Sequence, residues 1–175
     1  LTHDSCLRLL GPAYALLDPI FNKLKQKVRE RIEIKRVLVY FGSVDKFCLT
    51  NCTLNVFNDE CLKEIIVDVV LPANNANFRE VQLMCQARAN TYLHTFLPNL
   101  AELMSAADLA IGAVGSTTWE RICLELPTVA ITVASNQELI ARELNEKGYI
   151  YLLGNACQDS GDQITHKLRS FLNQP

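Results

Sequence analysis

The stretch "DLAIGAVGSTTWERICLELPTVAITVA", residues 108 to 134, contains one complete pattern of strand, turn, helix and strand. An apolar run at 108–113 leads into a turn with glycine and three hydroxyl residues, and a segment with helical apolar spacing follows at 117–126. A second β-branched run occupies 128–134. Short apolar runs that alternate with helical segments are typical of βα units around a parallel sheet.

The same alternation runs from residue 36 to the C-terminus. The predicted strands lie at 36–42, 65–71, 91–97, 108–113, 128–134 and 149–154, and the predicted helices at 53–63, 78–89, 99–106, 117–126, 136–147 and 162–173. Several of these strands are apolar on both faces, as strands between two layers of helices must be. The sequence therefore predicts an α/β, Rossmann-like parallel sheet of about six strands with helices on both faces.

Single residues refine the helix ends and the N-terminal region. Asn99 predicts a helix start, Asn136 a helix cap and Gly148 a left-handed helix end. Residues 1–35 are predicted to be a linker and an N-terminal helix, in which the charged run 22–35 forms a solvated helix, separate from a binding domain at 36–175. Because the chain has no initiator Met, we expect it to be a piece of a longer protein.

Composition favours one globular domain and excludes several classes of partner. The chain has 175 residues, a hydrophobic fraction of 49% and a net charge of −2. Scattered basic residues argue against binding of nucleic acid. The apolar runs are far shorter than the roughly 20 residues of a spanning helix, and the N-terminus has no signal-peptide pattern. We therefore expect a cytoplasmic protein without stable membrane insertion.

The cysteines and histidines give no sign of a metal site. The seven cysteines are odd in number, form no C-x-x-C pair and lie mostly in apolar segments, so we expect free thiols, most of them buried. His94 lies inside a predicted strand and is interpreted as a packed core histidine. No metal and no cofactor are expected.

Two glycine-containing loops have the chemistry of a phosphate site. "FGSVD" at 41–45 follows the first strand, and "GAVGSTTWE" at 112–120 follows the fourth. Open parallel sheets bind ligands beyond the carboxyl ends of their strands. Gly112 and Gly115 allow a close approach of the backbone, and the hydroxyl residues 116–118 offer donors to a phosphate. The alternative is a capping box between Thr117 and Glu120, with Gly115 only making a turn.

Neither loop matches a standard nucleotide motif. No G-x-G-x-x-G follows the first strand, and G-K-[ST] is absent. A dinucleotide-binding enzyme and an ATP-hydrolysing enzyme are therefore not the leading interpretations.

Four segments together resemble a known family: "LLGPAYALLDPIF", "VLVYFGSVD", "NLAELMSAADLAIGAVGSTTWERICLELPTVAI" and "ASNQELIARELNEKG". They are similar to the C-terminal half of the UDP-sugar hydrolases of pseudaminic acid biosynthesis, the UDP-2,4-diacetamido-2,4,6-trideoxy-β-L-altropyranose hydrolase family. The resemblance covers about residues 9–154. It implies one half of a two-domain GT-B fold, in which the C-terminal domain holds UDP.

The two loops and the resemblance together predict a set of site residues. The expected UDP-binding residues are Gly42, Ser43, Asp45, Gly112, Gly115, Ser116, Thr117 and Glu120. The resemblance alone implies that Asn136 and Gln137 bind the sugar. The resemblance implies that residues 115–117 line the diphosphate and that Glu120 binds the ribose hydroxyls. A carboxylate suits this role because it can accept hydrogen bonds from two vicinal hydroxyls.

The sequence departs from the family in two ways. The usual F-G-G-S-D of the first loop is here Phe41-Gly42-Ser43-Val44-Asp45, which places a side chain at Ser43 and removes a donor at Val44. The resemblance also implies a catalytic His in an N-terminal domain that this sequence lacks. None of its three histidines, His3, His94 and His166, matches that residue, so no catalytic residue is expected here and an N-terminal half-domain is the expected partner.

Three alternatives remain open. The chain is also compatible with the nucleotide-binding half of a GT-B glycosyltransferase. This includes a membrane-linked variant in which a lone nucleotide-binding half works with a separate partner subunit, and which an exposed apolar patch would favour. It is compatible, too, with a non-catalytic nucleotide-sugar module fused to another enzyme, which the altered 42–45 loop favours.

Trp119 is expected to be a core or interdomain anchor. Tyr14 is expected either at the domain junction or packed on the last helix.

Overall fold

All six predicted strands form in the computed structural model, which describes residues 6–7 and 11–173. They are β1 (Arg36–Tyr40), β2 (Ile66–Val70), β3 (Thr91–His94), β4 (Leu109–Ala113), β5 (Thr128–Thr132) and β6 (Tyr151–Asn155). Every pairing is parallel, and the strand order is β3-β2-β1-β4-β5-β6. This is the order of a doubly wound Rossmann-like sheet, so the predicted fold class is confirmed.

Helices cover both faces of the sheet. They are α1 (Pro19–Lys25), α2 (Leu49–Val56), α3 (Phe78–Ala87), α4 (Ala101–Ala106), α5 (Thr117–Cys123), α6 (Glu138–Glu146) and α7 (Gly161–Leu172). Because side chains alternate along a strand, Val37 and Val39 pack against α2, α3 and α7, whereas Leu38 packs on the opposite face with α1 and α4. None of the helices in the described ranges combines the length and the apolar character needed to cross a bilayer.

The predicted charged helix at 22–35 is wrong beyond its first turn. Helix α1 ends at Lys25, and the chain then runs irregularly to β1. Arg29 donates to the carbonyl of Ala106, and Arg31 donates to the carbonyls of Ala107 and of residues 124–125. These side chains bind backbone carbonyls at the amino end of the sheet. An irregular path along that edge lets both arginines reach it.

The first helix of the sheet region begins four residues earlier than predicted. Helix α2 starts at Leu49 because Asp45 accepts hydrogen bonds from the backbone N–H groups of Leu49 and Thr50, each at 2.9 Å. The predicted cap at Asn136 is also wrong, since a 3₁₀ turn spans Ser135–Gln137 and α6 begins only at Glu138. By contrast, Asn99 accepts from the N–H of Ala101 at the start of α4.

The left-handed residue predicted at Gly148 is confirmed, with φ of +73° directly after α6.

The cysteine prediction holds only in part. All seven cysteines are free thiols, but only Cys85 is buried, and Cys6, Cys61 and Cys157 are exposed. Cys6 lies in the N-terminal segment, and Cys61 and Cys157 lie in turns outside the strands.

His94 is not the core histidine that the sequence suggested. It ends the edge strand β3, where its side chain is 26% exposed. Its Nε2 lies 2.8 Å from Oδ1 of the buried Asp68, which also binds Arg36 through a hydrogen bond of 2.6 Å from Nε. An edge strand has no neighbour on one side, so the imidazole keeps part of its surface in solvent.

Candidate functional site

The two glycine-containing loops meet where the strand order reverses. β1 and β4 are neighbours, and Tyr40 pairs in register with Gly112 at their carboxyl ends. From these ends the chain passes to α2 on one face of the sheet and to α5 on the other. A crevice opens at such a switch point, and it is the usual ligand site of doubly wound sheets. The structure therefore brings together the two loops that the sequence singled out.

The shape of the loop after β1 depends on Gly42 and on Asn75, which lies outside the loop. Gly42 has a backbone φ of +93°, a conformation that residues with a side chain rarely adopt. The amide of the buried Asn75 donates to the carbonyls of Ser43 (2.9 Å) and Val44 (2.7 Å). Ser43 is exposed, and the Val44 side chain is 73% exposed. Asn75 was not predicted, because an isolated Asn in a turn carries no signal of a long-range contact.

The side chain of Asp45 is buried and stabilises the start of α2, so it is not open to a ligand. The residue is 6% exposed, and its two carboxylate oxygens accept the N–H groups of Leu49 and Thr50. Both oxygens are thus occupied at the start of α2. The predicted contact between Asp45 and a ligand has no support from this geometry, and the carboxylate instead fixes the end of the loop.

The loop after β4 presents an open turn, which we call the 113–118 turn. A Cβ on Gly115 would meet no atom within 4 Å, and Gly115 donates its N–H to Oγ1 of Thr118 at 3.1 Å. Within the described residues, the N–H groups of Ser116 and Thr117 have no acceptor. Two adjacent free amides and two hydroxyls in an open turn form a suitable site for an anion.

The capping box that competed with this interpretation does not form. Helix α5 begins at Thr117 with no side-chain hydrogen bond at its cap. The side chain of Glu120, one turn into the helix, takes part in none of the hydrogen bonds or ion pairs found in the described part of the chain. Its carboxylate is therefore available for another partner.

The environment of Glu120 changes its proton affinity. The side chain is half-buried, and this burial raises the pKa of the carboxyl above its usual range. The Arg121 guanidinium opposes this shift, and the Asp18 carboxylate adds to it. A partly desolvated carboxylate without a bound donor is well suited to accept hydrogen bonds from ligand hydroxyls.

Gly112 lies beneath the turn rather than at its surface. It is buried in β4, and a Cβ at this position would overlap the carbonyl oxygen of Tyr40 and lie 2.6 Å from Nη1 of Arg121. The predicted contact between Gly112 and a ligand is therefore not supported. Its lack of a side chain makes room for Arg121.

Arg121 is the residue of this region that sequence reasoning missed. It is 2% exposed, and its Nη2 donates to the carbonyl of Ala113 (2.6 Å) and to Oγ1 of Thr118 (3.0 Å). Burial lowers the pKa of the guanidinium to about 10, against a smaller raising effect of Glu120, so it remains cationic at neutral pH. A faint signal exists in the sequence, since Thr118, Arg121 and Leu124 recur every third residue on one helical face.

A third loop lies beside the 113–118 turn. It follows β5, which neighbours β4, and contains the 3₁₀ turn Ser135–Gln137. Asn136 is exposed there, whereas Oε1 of Gln137 accepts the N–H of Val133 at 2.9 Å. Gln137 thus stabilises its own loop and keeps only its amide NH₂ available, while Asn136 is open.

Trp119 points away from the two loops. It is partly buried against the cluster formed by Val114, Ala130, Ala141, Leu144 and Ile150. With Tyr14 and Ile140 it also lines a cavity of about 330 Å³ beside α6. Trp119 is therefore an anchor in a core cluster, and Tyr14 lies near α6 rather than on the last helix.

In the described residues, no group of three or more His, Cys, Asp and Glu side chains is arranged to hold a metal ion.

The fold and the loops at its switch point define the class of this protein as a Rossmann-like α/β domain of the GT-B type. The chain belongs to the family described as "Glycosyltransferase family 28 C-terminal domain", which matches residues 36–175.

Two curated relatives match most of the chain. One is the uncharacterized protein MJ1062 of Methanocaldococcus jannaschii, 27% identical over 73% of this chain and 28% of its own length. The other is the UDP-2,4-diacetamido-2,4,6-trideoxy-beta-L-altropyranose hydrolase of Campylobacter jejuni, 25% identical over 79% of this chain and 48% of its own length. The chain thus spans less than half the length of these relatives.

Solved structures share the fold at low identity. The UDP-GlcNAc 2-epimerase of Neisseria meningitidis, bound to UDP-GlcNAc, superposes with a TM-score of 0.60 at 17% identity over 90% of this chain and 42% of its own. The Anabaena protein Alr3699/HepE, in complex with UDP and glucose, gives a TM-score of 0.57 at 14% identity over 92% of this chain and 44% of its own. These similarities establish the fold.

Proposed function

We propose that this chain binds UDP, or the UDP part of a nucleotide sugar, in the crevice between the loops that follow β1 and β4. The observation that carries the proposal is the open 113–118 turn, where two free backbone N–H groups lie one helical turn from an unpartnered Glu120. The family match and the two nucleotide-bound structures of the same fold support the choice of a uridine nucleotide.

The turn and the carboxylate suit the two polar parts of the ligand. Ser116 and Thr117 offer two amides and two hydroxyls to the diphosphate. Thr117 and Glu120 are three residues apart, so their side chains lie on the same face of α5. A ligand with its diphosphate at the turn would therefore direct its ribose toward Glu120, whose carboxylate accepts both vicinal hydroxyls.

We further propose that the whole protein is a nucleotide-sugar hydrolase that releases UDP from a UDP-linked deoxy-diacetamido sugar in nonulosonic (pseudaminic-type) acid biosynthesis. The Campylobacter jejuni relative and the four matching sequence segments support this choice. Hydrolysis requires a base that activates water and a site that stabilises the departing diphosphate. This chain would supply the second function, and an N-terminal half-domain would supply the first.

The sugar would lie next to the third loop. Asn136 and the free NH₂ of Gln137 are the polar groups there, and both donors suit the hydroxyl and acetamido oxygens of such a sugar. In this arrangement, residues 42–44 border the diphosphate from the β1 side. Gly42 gives that loop its left-handed turn. Ser43 offers a hydroxyl at the position where the resembled family has a glycine.

A glycosyltransferase is the second candidate, and the description of the matched family favours it. The same nucleotide site serves transfer to an acceptor hydroxyl and transfer to water. The two are distinguished by incubating the full-length protein with a UDP-linked diacetamido sugar. Free reducing sugar together with UDP indicates hydrolysis, and UDP release that depends on an added acceptor indicates transfer.

A titration of this 175-residue chain tests the nucleotide site directly. Backbone amide shifts are followed during addition of UDP, with UMP and ADP as controls. We expect the shifts to cluster at residues 42–45, 112–120 and 136–137 and to saturate at lower concentration for UDP than for UMP or ADP. Unchanged spectra at millimolar UDP, or shifts confined to other surfaces, would contradict the proposal.

A further inference from the structure

Arg121 holds the two ends of the 113–118 turn together from below. Its Nη2 donates to the carbonyl of Ala113 at one end and to Oγ1 of Thr118 at the other. Thr118 in turn accepts the N–H of Gly115. The guanidinium therefore determines the shape of the turn without reaching its open surface, because the residue is 98% covered.

This guanidinium has no ion-pair partner within the described residues; the Glu120 carboxylate acts on its charge without a direct contact. Arg121 takes part in none of the ion pairs found there, although eight other pairs form. Its Nε–H has no acceptor. The space beside it, lined by Tyr40, Met104 and Thr117, is too narrow to admit a water molecule. Buried cations in proteins are normally paired, so this one lacks an expected partner.

We propose that Arg121 is a positioning residue that makes the 113–118 turn selective for diphosphate ligands. The diphosphate at the surface of the turn adds to the counter-charge that Glu120 alone provides, while the guanidinium acts through Ala113 and Thr118 and does not touch the ligand. This inference rests on the proposed nucleotide site and adds the cause of its preference for diphosphate over monophosphate or uncharged ligands.

The buried position strengthens this effect. In a region of low polarity a charge is screened far less than at the surface, so an anion on the turn feels the guanidinium more strongly than it would feel an exposed arginine. Gly112 allows this arrangement, because a Cβ on it would occupy the space of Nη1 of Arg121.

The test compares the unmodified chain with Arg121→Met and Arg121→Lys. Amide shift titrations give the dissociation constants of UDP, inorganic pyrophosphate and uridine for each protein. We expect Arg121→Met to raise the constants for UDP and pyrophosphate at least tenfold and to leave that for uridine within twofold. Arg121→Lys keeps the charge and should retain most of the preference for UDP over uridine. Arg142→Met, which removes an exposed arginine of α6, should change none of the three constants.

Each other outcome has a definite meaning. Equal weakening of UDP and uridine by Arg121→Met would show a purely structural role and overturn the inference, as would unchanged constants. If the unmodified chain binds pyrophosphate as tightly as UDP, the inference stands and the nucleotide assignment fails. If it binds neither UDP nor pyrophosphate, both fail. Should Arg121→Met not fold by circular dichroism, Arg121→Lys decides, since loss of the UDP preference with charge retained contradicts the inference.

Discussion

Gly112 of β4 lies directly against the guanidinium of Arg121, and a Cβ on Gly112 would be 2.6 Å from Nη1. The same Cβ would overlap the carbonyl oxygen of Tyr40 on the neighbouring strand. A side chain that projects from α5 onto the sheet therefore requires a position without a side chain on β4. The pair couples a sheet residue to the turn above it, because Arg121 also binds Ala113 and Thr118.

Replacement of this glycine should destabilise the protein. We expect Gly112→Ala to lower the free energy of unfolding by about 1–3 kcal/mol, because an added methyl group in a packed core forces its neighbours to shift. One of these neighbours is the backbone carbonyl of Tyr40, which moves less readily than a side chain. Urea unfolding followed by circular dichroism measures the change.

Gly115→Ala is the matched control for this prediction. It lies in the same loop, has no neighbour within 4 Å of the added Cβ and lacks a left-handed φ. We expect a stability change of less than about 0.5 kcal/mol, as for most open surface positions. Equal destabilisation by the two substitutions would show that the contact between Gly112 and Arg121 is not the cause.

Asp45 should contribute to stability through the start of α2. Asp45→Ala removes both acceptors of the Leu49 and Thr50 N–H groups, and we expect a loss of about 1–2 kcal/mol, the usual cost of a deleted helix cap. Thermal unfolding measures it, with the exposed Asn55→Ala on the same helix as the control. Unchanged stability together with weaker UDP binding would restore the ligand role that the sequence suggested.

The strands could be predicted closely because a parallel sheet covered on both faces leaves an uninterrupted apolar run at each strand. The run at 128–134, for example, contains the fully buried β5. Helix starts were predicted less well, since their causes lie outside the helix. The start of α2 depends on Asp45, four residues upstream, and on Cys48 at φ of +52°. The irregular path after α1 depends on carbonyls more than seventy residues away.

The candidate site was predictable at its surface and not beneath it. Residues with open backbone and hydroxyl groups, such as Gly115 and Ser116, are recognisable from their types and their place after a strand. Gly112 and Asp45 lie in the same two loops, but in the structure Gly112 serves packing and Asp45 fixes the start of α2. The role of Arg121 depends on its burial, and an Arg in a polar run of sequence is far more often exposed than buried.

Glu120 should make UDP binding depend on pH. Burial raises the pKa of its carboxyl, and only the ionised form accepts both ribose hydroxyls. We therefore expect the affinity for UDP to fall as the pH is lowered through this raised pKa. Glu120→Gln should weaken UDP about tenfold at neutral pH, since a hydrogen bond to a charged group contributes about 1.5–3 kcal/mol.

Calorimetric titration of both proteins between pH 4.5 and 8 separates this effect from the ionisation of UDP itself, which occurs in both. The exposed Glu102→Gln of α4 should behave as the unmodified chain. Parallel pH profiles for Glu120→Gln and the unmodified protein would remove Glu120 from the ribose site.

Asp108 should stabilise the protein against acid. It is 5% exposed; burial by itself raises the pKa of the carboxyl, but hydrogen bonds from the N–H of Lys35, from the Arg29 guanidinium and from the N–H of Arg36 outweigh this and lower it overall. Because the pKa is lower in the folded than in the unfolded state, its stabilising effect is present above the unfolded pKa. That effect is lost as the pH falls through the folded pKa.

Asp108→Asn should therefore lower the free energy of unfolding at pH 7 by about 2–3 kcal/mol, since Arg29 loses its acid partner, and should flatten the loss of stability between pH 5 and 3. Urea unfolding across this range measures both effects, and the exposed Glu146→Gln is the control. A variant that loses stability on acidification as steeply as the unmodified protein would contradict the assignment.

The thiols should differ in reactivity according to their burial. Cys6, Cys61 and Cys157 are exposed, whereas burial raises the pKa of Cys85 to about 11. Only the thiolate reacts with a disulfide reagent, and at pH 8 such a thiol is ionised to about 0.1%. We expect three thiols to react rapidly with Ellman's reagent, and Cys85 to react only in denaturant. Cys61→Ser should lower the rapid count by one and Cys85→Ser should leave it unchanged. A rapid phase that loses one thiol in Cys85→Ser would show that the space between α3 and the sheet opens in solution.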